Sequence, residues 1–186
     1  MNTLTDPEGH AMTGSLSYPI GRWTSPTGVT AAELAESVAR IAALPDRLRA
    51  AVEDLDETQL ATPYRPGGWT VRQLVHHLAD SHLNAYVRFK LGLTEEEPRI
   101  TAYDQEAWAT LPDVELVPIS ASLGIVEGIH ARWAALLGSL TPAQWQRRYL
   151  HPENGVQPLD IVAHHYAWHG EHHVAHITAL RKQMGW

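Results

Sequence analysis

Histidine is the residue type in this sequence whose number and spacing indicate chemistry. Six of the twelve histidines lie between residues 164 and 176, in a segment with the 3–4 apolar spacing of a helix. Residues three and four apart share a helix face, so most of these rings form one stripe, namely His165, His169, His172 and His176, with His173 beside it. Imidazoles directed into one seam are costly to bury unless each finds a partner, whereas a metal ion binds the neutral ring. The segment therefore predicts a divalent-metal site.

The spacing alone leaves the ligand set open. His169/His173 and His172/His176 are both His-x-x-x-His pairs, which bring two rings to one ion on a helix. A third ligand must come from another helix, and the candidates are His76, His77, His82 and His130. The helical pattern favours His77, which lies beside the apolar stripe of its helix, and predicts that His76 and His164 point away from the core.

Composition limits the classes of function. The 186 residues suffice for one core, and the net charge of −7 argues against a nucleic-acid or anionic-membrane surface. The absence of cysteine excludes disulfides and thiolate ligands. No apolar run approaches the roughly 18 residues of a membrane span, and residues 1–14 lack the apolar stretch of a signal peptide. We therefore expect a cytoplasmic protein without a nucleic-acid or membrane partner.

Four long amphipathic helices are predicted. Capping boxes at Thr30/Glu33 and Thr70/Gln73 begin the first two, the third runs from about 119 to 140, and the last begins near Pro158. Short additional helices are expected in the connections, near 102–109 and after Thr141, and 151–157 is read as a loop. No strand is predicted. The fold class is therefore all-α, a four-helix bundle at residues 16–186, preceded by a disordered leader at residues 1–15.

Four sequence blocks resemble a known family. They are SYPIG at 17–21, PYRPGGWTVRQ at 63–73, HHLADSH at 76–82 and WHGEHHVAHIT at 168–178. In this order they resemble the YfiT-like branch of the DinB superfamily, over almost the whole chain from Leu16 to Trp186. The resemblance implies a DinB/YfiT-type four-helix bundle with one divalent metal ion per chain, zinc or nickel. It further implies that the ligands are His77, His172 and His176.

Three histidine ligands leave coordination positions open, which is typical of a catalytic site. The function expected from the resemblance is a metal-dependent hydrolase that activates water. The first alternative is a low-molecular-weight thiol S-transferase of the bacillithiol type. The second is a non-catalytic metal-binding module, in which a fourth side chain such as His169 or His173 closes the coordination shell. We expect a small-molecule substrate, such as a thiol, and the chain could form a homodimer.

Two further groups of residues are candidates for supporting roles. Glu127 and His130 lie one turn apart on the third helix and could act as a general base or orient a ligand. Tyr64 and Arg65 precede the second helix, where a substrate carboxylate or phosphate would bind well. A turn that fixes the entry to that helix explains Tyr64 and Arg65 more simply.

Overall fold

The computed structural model describes residues 16–186, and the leader predicted at residues 1–15 lies outside them. The elements follow one another as α1 (Ala31–Val52), α2 (Glu57–Leu60), α3 (Val71–Thr94), α4 (Gln105–Trp108), α5 (Asp113–Leu116), α6 (Ile119–Gly138), α7 (Pro142–Trp145), β1 (Arg148–His151), β2 (Gly155–Pro158) and α8 (Leu159–Met184). The four long helices α1, α3, α6 and α8 are those predicted from the sequence.

The helix starts follow from local chemistry. At Thr30 the hydroxyl accepts the Glu33 N–H, and the Glu33 carboxylate accepts the Thr30 N–H at 2.8 Å. Reciprocal pairs of the same kind begin α3 at Thr70 and α7 at Thr141. Each box satisfies backbone donors that the first helical turn leaves unpaired. The predicted capping boxes are confirmed.

The long helices form a bundle. Helix α1 packs along both α6 and α8, and α3 packs along α6, while α3 and α8 contact each other less extensively. Fully buried side chains, among them Phe89 and Trp133, fill the interior. The looser seam between α3 and α8 is where the histidines of the two helices meet. Among residues 16–186 no single helix has the length and apolar composition of a membrane span. The segments 105–116 and 119–138 have that length and composition when they are taken together, but they are bent by 117° relative to each other.

A close contact between α1 and α8 fixes how α8 is rotated about its own axis. Gly170 faces Leu44 of α1, and a Cβ atom at this position would lie 2.5 Å from the Leu44 Cδ2 atom. A side chain at this position would have to displace Leu44, which is itself buried. With Gly170 against α1, the side chains of His169 and His173 are directed towards α3.

A small hairpin corrects the prediction that the chain has no strand. β1 and β2 pair antiparallel, with Tyr149 opposite Gln157, and Gly155 at φ +68° closes the turn. The Leu150 N–H donates to the Pro98 carbonyl at 2.8 Å, and the Ile100 N–H donates to the Leu150 carbonyl at 3.0 Å. Four-residue strands are too short for a recognisable alternation, and these are stabilised by partners about fifty residues away in the sequence. The hairpin brings His151 next to α3.

Candidate metal centre

Three histidines from two helices converge on one point. His77 comes from α3, His169 and His173 come from α8, and one ring nitrogen of each lies within 4.8 Å of the other two. The Nε2 atoms of His169 and His173 are 3.2 Å apart. Nitrogens bound to one tetrahedral ion at about 2.0–2.1 Å lie about 3.4 Å from each other. The spacing of the rings therefore fits a single divalent ion held by nitrogen ligands.

Burial keeps these rings neutral, as metal ligation requires. Desolvation lowers the pKa of His77 to about 4. Desolvation, with smaller contributions from the neighbouring histidines, also places the pKa values of His169 and His173 well below the usual range of histidine. A lone pair on each ring is thus available near neutral pH.

A chain of hydrogen bonds determines the tautomer of His169. The His130 Nδ1 atom lies 2.6 Å from the Ile41 carbonyl, which only accepts, so Nδ1 of His130 carries the proton. In a neutral ring the His130 Nε2 atom then accepts from His82 Nδ1 at 2.9 Å. His82 Nε2 in turn accepts from His169 Nδ1 at 3.1 Å. If every hydrogen bond in this chain ran in the opposite direction, an unprotonated His130 Nδ1 would face the Ile41 carbonyl, and two acceptors would meet. The unprotonated nitrogen of His169 is therefore Nε2, the atom that faces His173.

Of the ligands implied by the resemblance, only His77 belongs to this three-histidine group. His172 and His176 lie beside each other, with their Nε2 atoms 3.0 Å apart. Their rings contact other aromatic side chains: His172 stacks on Trp168 at 4.5 Å, and His176 lies 4.1 Å from the Tyr64 ring. This pair is displaced by roughly 60° around α8 from His169 and His173, because positions three apart differ by about 300°. The rotation of α8 set by Gly170 directs the other pair towards His77.

The two candidate supporting residues on α6 occupy different environments. His130 is fully buried and belongs to the hydrogen-bond chain that ends at His169. Glu127 is 63% exposed and forms an ion pair with Arg49 of α1 at 2.7 Å. One turn of helix separates the two residues, yet Glu127 projects to the surface. Its placement gives no support to the predicted role as a general base.

The prediction that His76 and His164 project outward is also corrected. His76 is 8% exposed, and its Nδ1 atom lies 2.7 Å from the Ser122 hydroxyl of α6. His164 is half-buried, with Nδ1 at 2.9 Å from the Ser37 hydroxyl of α1. Both rings lie on helix faces that neighbouring helices cover, and a serine on the neighbour supplies the hydrogen-bond partner in each case.

Two cavities meet at His169. The first, of about 530 Å³ and named here the Trp69 cavity, is lined by Tyr64, Arg65, Trp69, Glu106, His172 and His173 among others. The second, of about 630 Å³ and named the Arg88 cavity, is lined by Arg88, Tyr103, His151, Asn154 and His165 among others. Both are also lined by Gln105. A small molecule in either cavity would lie beside the three-histidine group.

The wall of the Trp69 cavity is organised around one tryptophan. The Trp69 ring lies 4.5 Å from the His77 ring, and its Nε1–H donates to the Glu106 carboxylate at 2.9 Å. The hydrogen bond between Trp69 and Glu106 joins the short helix α4 to the start of α3. The two residues are far apart in the sequence, so local sequence patterns do not predict this contact.

Comparison with known proteins identifies the family of this chain. The family model of the DinB superfamily matches residues 40–177. A protein from Bacillus mycoides named "putative metal-dependent hydrolase" is 48% identical over 171 residues, which cover 92% of this chain and 98% of the relative. A protein from Bacillus cereus with the same name is 49% identical over the same coverage.

A solved structure shares the architecture. It is YfiT from Bacillus subtilis, described as "a probable metal-dependent hydrolase with an unusual four-helix bundle topology". The TM-score is 0.89 at 46% sequence identity, and the match covers 92% of this chain and 99% of the other. With the family model matched over most of its length, and with relatives and a solved structure this similar, the chain belongs to the YfiT-like branch of the DinB superfamily.

Proposed function

We propose that this protein is a metal-dependent hydrolase of small molecules, with one divalent ion held by His77, His169 and His173. The observation that carries the proposal is the convergence of three neutral ring nitrogens, from two helices, at the junction of two cavities. The names of the relatives are consistent with it. Zinc and nickel both accept imidazole ligands, and we propose one of these two as the ion.

The ion would supply Lewis acidity, which lowers the pKa of a water molecule at an open coordination position. The protein supplies the orientation of the ligands. His130 and His82 hold His169 with Nε2 unprotonated, so the ring presents a lone pair without rearrangement. Three side chains make up the group among residues 16–186, which favours a site that remains open to substrate over a closed structural site.

Glu106 is the residue we propose for proton transfer, in place of Glu127. Among the residues that line the Trp69 cavity in the described part of the chain, Glu106 carries the single carboxylate. It accepts a hydrogen bond from Trp69 Nε1, and the Trp69 ring in turn contacts the His77 ring. A carboxylate in this position would accept a proton from a nucleophile in the cavity.

The test measures turnover of ester and amide substrates by the protein loaded with zinc or nickel. Glu106→Gln should lower turnover with unchanged metal content, and Glu127→Gln is the matched control, because its carboxylate lies on the surface. Equal turnover in both variants would remove Glu106 from the mechanism. A protein that binds the ion at these histidines but turns over no substrate would instead be a metal-binding module.

A second candidate function is transfer of a low-molecular-weight thiol. One observation favours it: two separate cavities reach His169, so a thiol and an acceptor would each have a cavity of its own. A bound thiolate would then be the nucleophile. Product formation that requires added thiol and rises with its concentration would support transfer, whereas turnover in water alone, inhibited by thiols, would support hydrolysis.

A further inference from the structure

The Arg88 cavity contains a buried positive charge without an acidic partner. Two arginines of the described chain are buried, Arg72 at 7% and Arg88 at 8% exposure. Arg72 forms an ion pair with Glu57. Arg88 forms no ion pair with any acidic residue within the described part of the chain. Leaving a buried charge unpaired is costly, so a guanidinium that lines a cavity favours an anionic ligand.

The groups in direct contact with Arg88 are neutral. Its Nη2 atom donates to the Thr101 carbonyl at 2.8 Å, and its guanidinium lies 5.9 Å from the centre of the Tyr103 ring. These contacts hold the guanidinium in place without neutralising its charge. A planar guanidinium binds a carboxylate through two parallel hydrogen bonds, which is a stronger interaction than a hydrogen bond between neutral groups.

His151 supplies a second donor to the same cavity. The backbone N–H groups of Glu153 and Asn154 donate to its Nδ1 atom at 3.2 and 3.3 Å. The proton of the neutral ring is therefore on Nε2. No described residue accepts this N–H, and the ring lines the cavity. The guanidinium of Arg88 and the ring of His151 thus line the same cavity, and both are hydrogen-bond donors suited to an anion.

Acidic residues on the same cavity limit the charge of the ligand. Asp104 lines the cavity while its carboxylate accepts the N–H groups of Glu106 and Ala107, both at 3.0 Å. Glu153 also lines the cavity and is exposed. Two nearby carboxylates repel a dianion more than a monoanion, which favours a carboxylate over a phosphate.

We infer that the Arg88 cavity is the subsite for a carboxylate of the substrate, bound by Arg88 and His151 while the reacting group lies beside His169. This inference rests on the proposed function and names its substrate class, a small organic molecule with one carboxylate. The cavity volume of about 630 Å³ accommodates such a molecule, and His169 belongs both to the cavity lining and to the metal centre.

Binding to the metal-free protein tests the subsite independently of catalysis. Benzoate and benzamide have the same shape and differ in charge, and inorganic phosphate is the dianionic probe. We expect benzoate to shift the NMR signal of the Arg88 Nε–H saturably, with benzamide binding roughly tenfold or more weakly and phosphate binding more weakly than benzoate. Equal binding of benzoate and benzamide to the unmodified protein would overturn the inference, without reliance on any variant.

Variants localise the effect. Arg88→Gln should abolish the preference for benzoate over benzamide, while Arg22→Gln, which changes an exposed arginine of the Trp69 cavity, should leave it unchanged. Arg88→Lys identifies the Arg88 signal by its loss, and circular dichroism checks that each variant is folded. Benzoate shifts confined to the Arg22 and Arg65 signals would place anion binding in the other cavity and contradict the inference.

The metal-loaded protein separates the two proposals. Monomethyl succinate carries a carboxylate beside its ester, whereas dimethyl succinate carries none, and we expect the first to have the higher kcat/KM. Benzoate binding without hydrolysis of either ester would support the anion subsite and contradict the proposed hydrolase activity. Equal hydrolysis of both esters, together with no benzoate binding, would support the proposed hydrolase activity and contradict the anion subsite.

Discussion

Acidification of the metal-free protein from pH 7 to pH 5 should remove a large part of its stability. Burial lowers the pKa of His77 to about 4 and that of His165 to about 4, from an ordinary value of 6.5. The unfolded chain therefore takes up protons that the folded protein excludes. The free energy of unfolding consequently falls as the pH drops below 6.5, and this loss is complete near pH 4.

The size of the effect follows from the two pKa values. At pH 5 each of these histidines destabilises the folded state by about 2 kcal/mol, and the pair by about 4 kcal/mol. The free energy of unfolding of a typical domain is only about 5–15 kcal/mol. Burial also lowers the pKa values of His82, His169 and His173, so the total loss should exceed that of the pair.

Urea unfolding of the chelator-treated protein, followed by circular dichroism at the two pH values, measures this loss. His165→Phe is the informative variant, because the ring lies among Trp23, Tyr166 and Trp168 and is not one of the proposed ligands. It should reduce the difference between pH 7 and pH 5 by about 2 kcal/mol. Equal free energies of unfolding at pH 7 and pH 5 in the unmodified protein would refute the reasoning.

Three further predictions concern the elements that support the metal centre. His82→Leu breaks the hydrogen-bond chain to His169 and should weaken metal binding about 10- to 100-fold in a competition titration. His82→Gln keeps a donor and an acceptor and should retain most of the affinity. Equal metal affinities of the two variants would contradict a role of these hydrogen bonds in metal binding. Chelation should lower the melting temperature, because a ligand at a hundredfold excess over Kd stabilises the fold by about 2.7 kcal/mol. The chelated protein should keep its helical circular dichroism signal. Loss of that signal would show that the metal site is structural. Gly170→Ala should destabilise the fold by about 1–3 kcal/mol in urea, because its Cβ would clash with Leu44; unchanged stability would show that α1 and α8 adjust freely.

The helices could be predicted from the sequence because their signals are local. Thr30 with Glu33 and Thr70 with Gln73 each satisfy one helix start within four residues, so no knowledge of the rest of the fold is needed. The hairpin of β1 and β2 was not predicted, because Leu150 of β1 also forms backbone hydrogen bonds with Pro98 and Ile100, which are distant in the sequence.

The choice between two histidine pairs on α8 could not be made from spacing. Both pairs are four residues apart, and the one that meets His77 depends on the rotation of α8 about its axis, which the contact of Gly170 with Leu44 sets. The partners of His76 and His164 are likewise serines on other helices. Helical periodicity predicts which residues share a face, whereas the packing of the bundle decides what that face contacts.

The metal content of two variants on α8 tests the central claim most directly. His173→Ala and His176→Ala each remove one imidazole from a pair at the same spacing, one turn apart on the same helix. Elemental analysis of the purified proteins should find the ion lost in His173→Ala and retained in His176→Ala, as expected for ligation by His77, His169 and His173. An ion retained in His173→Ala and lost in His176→Ala would contradict the account and support His77, His172 and His176 as the ligands.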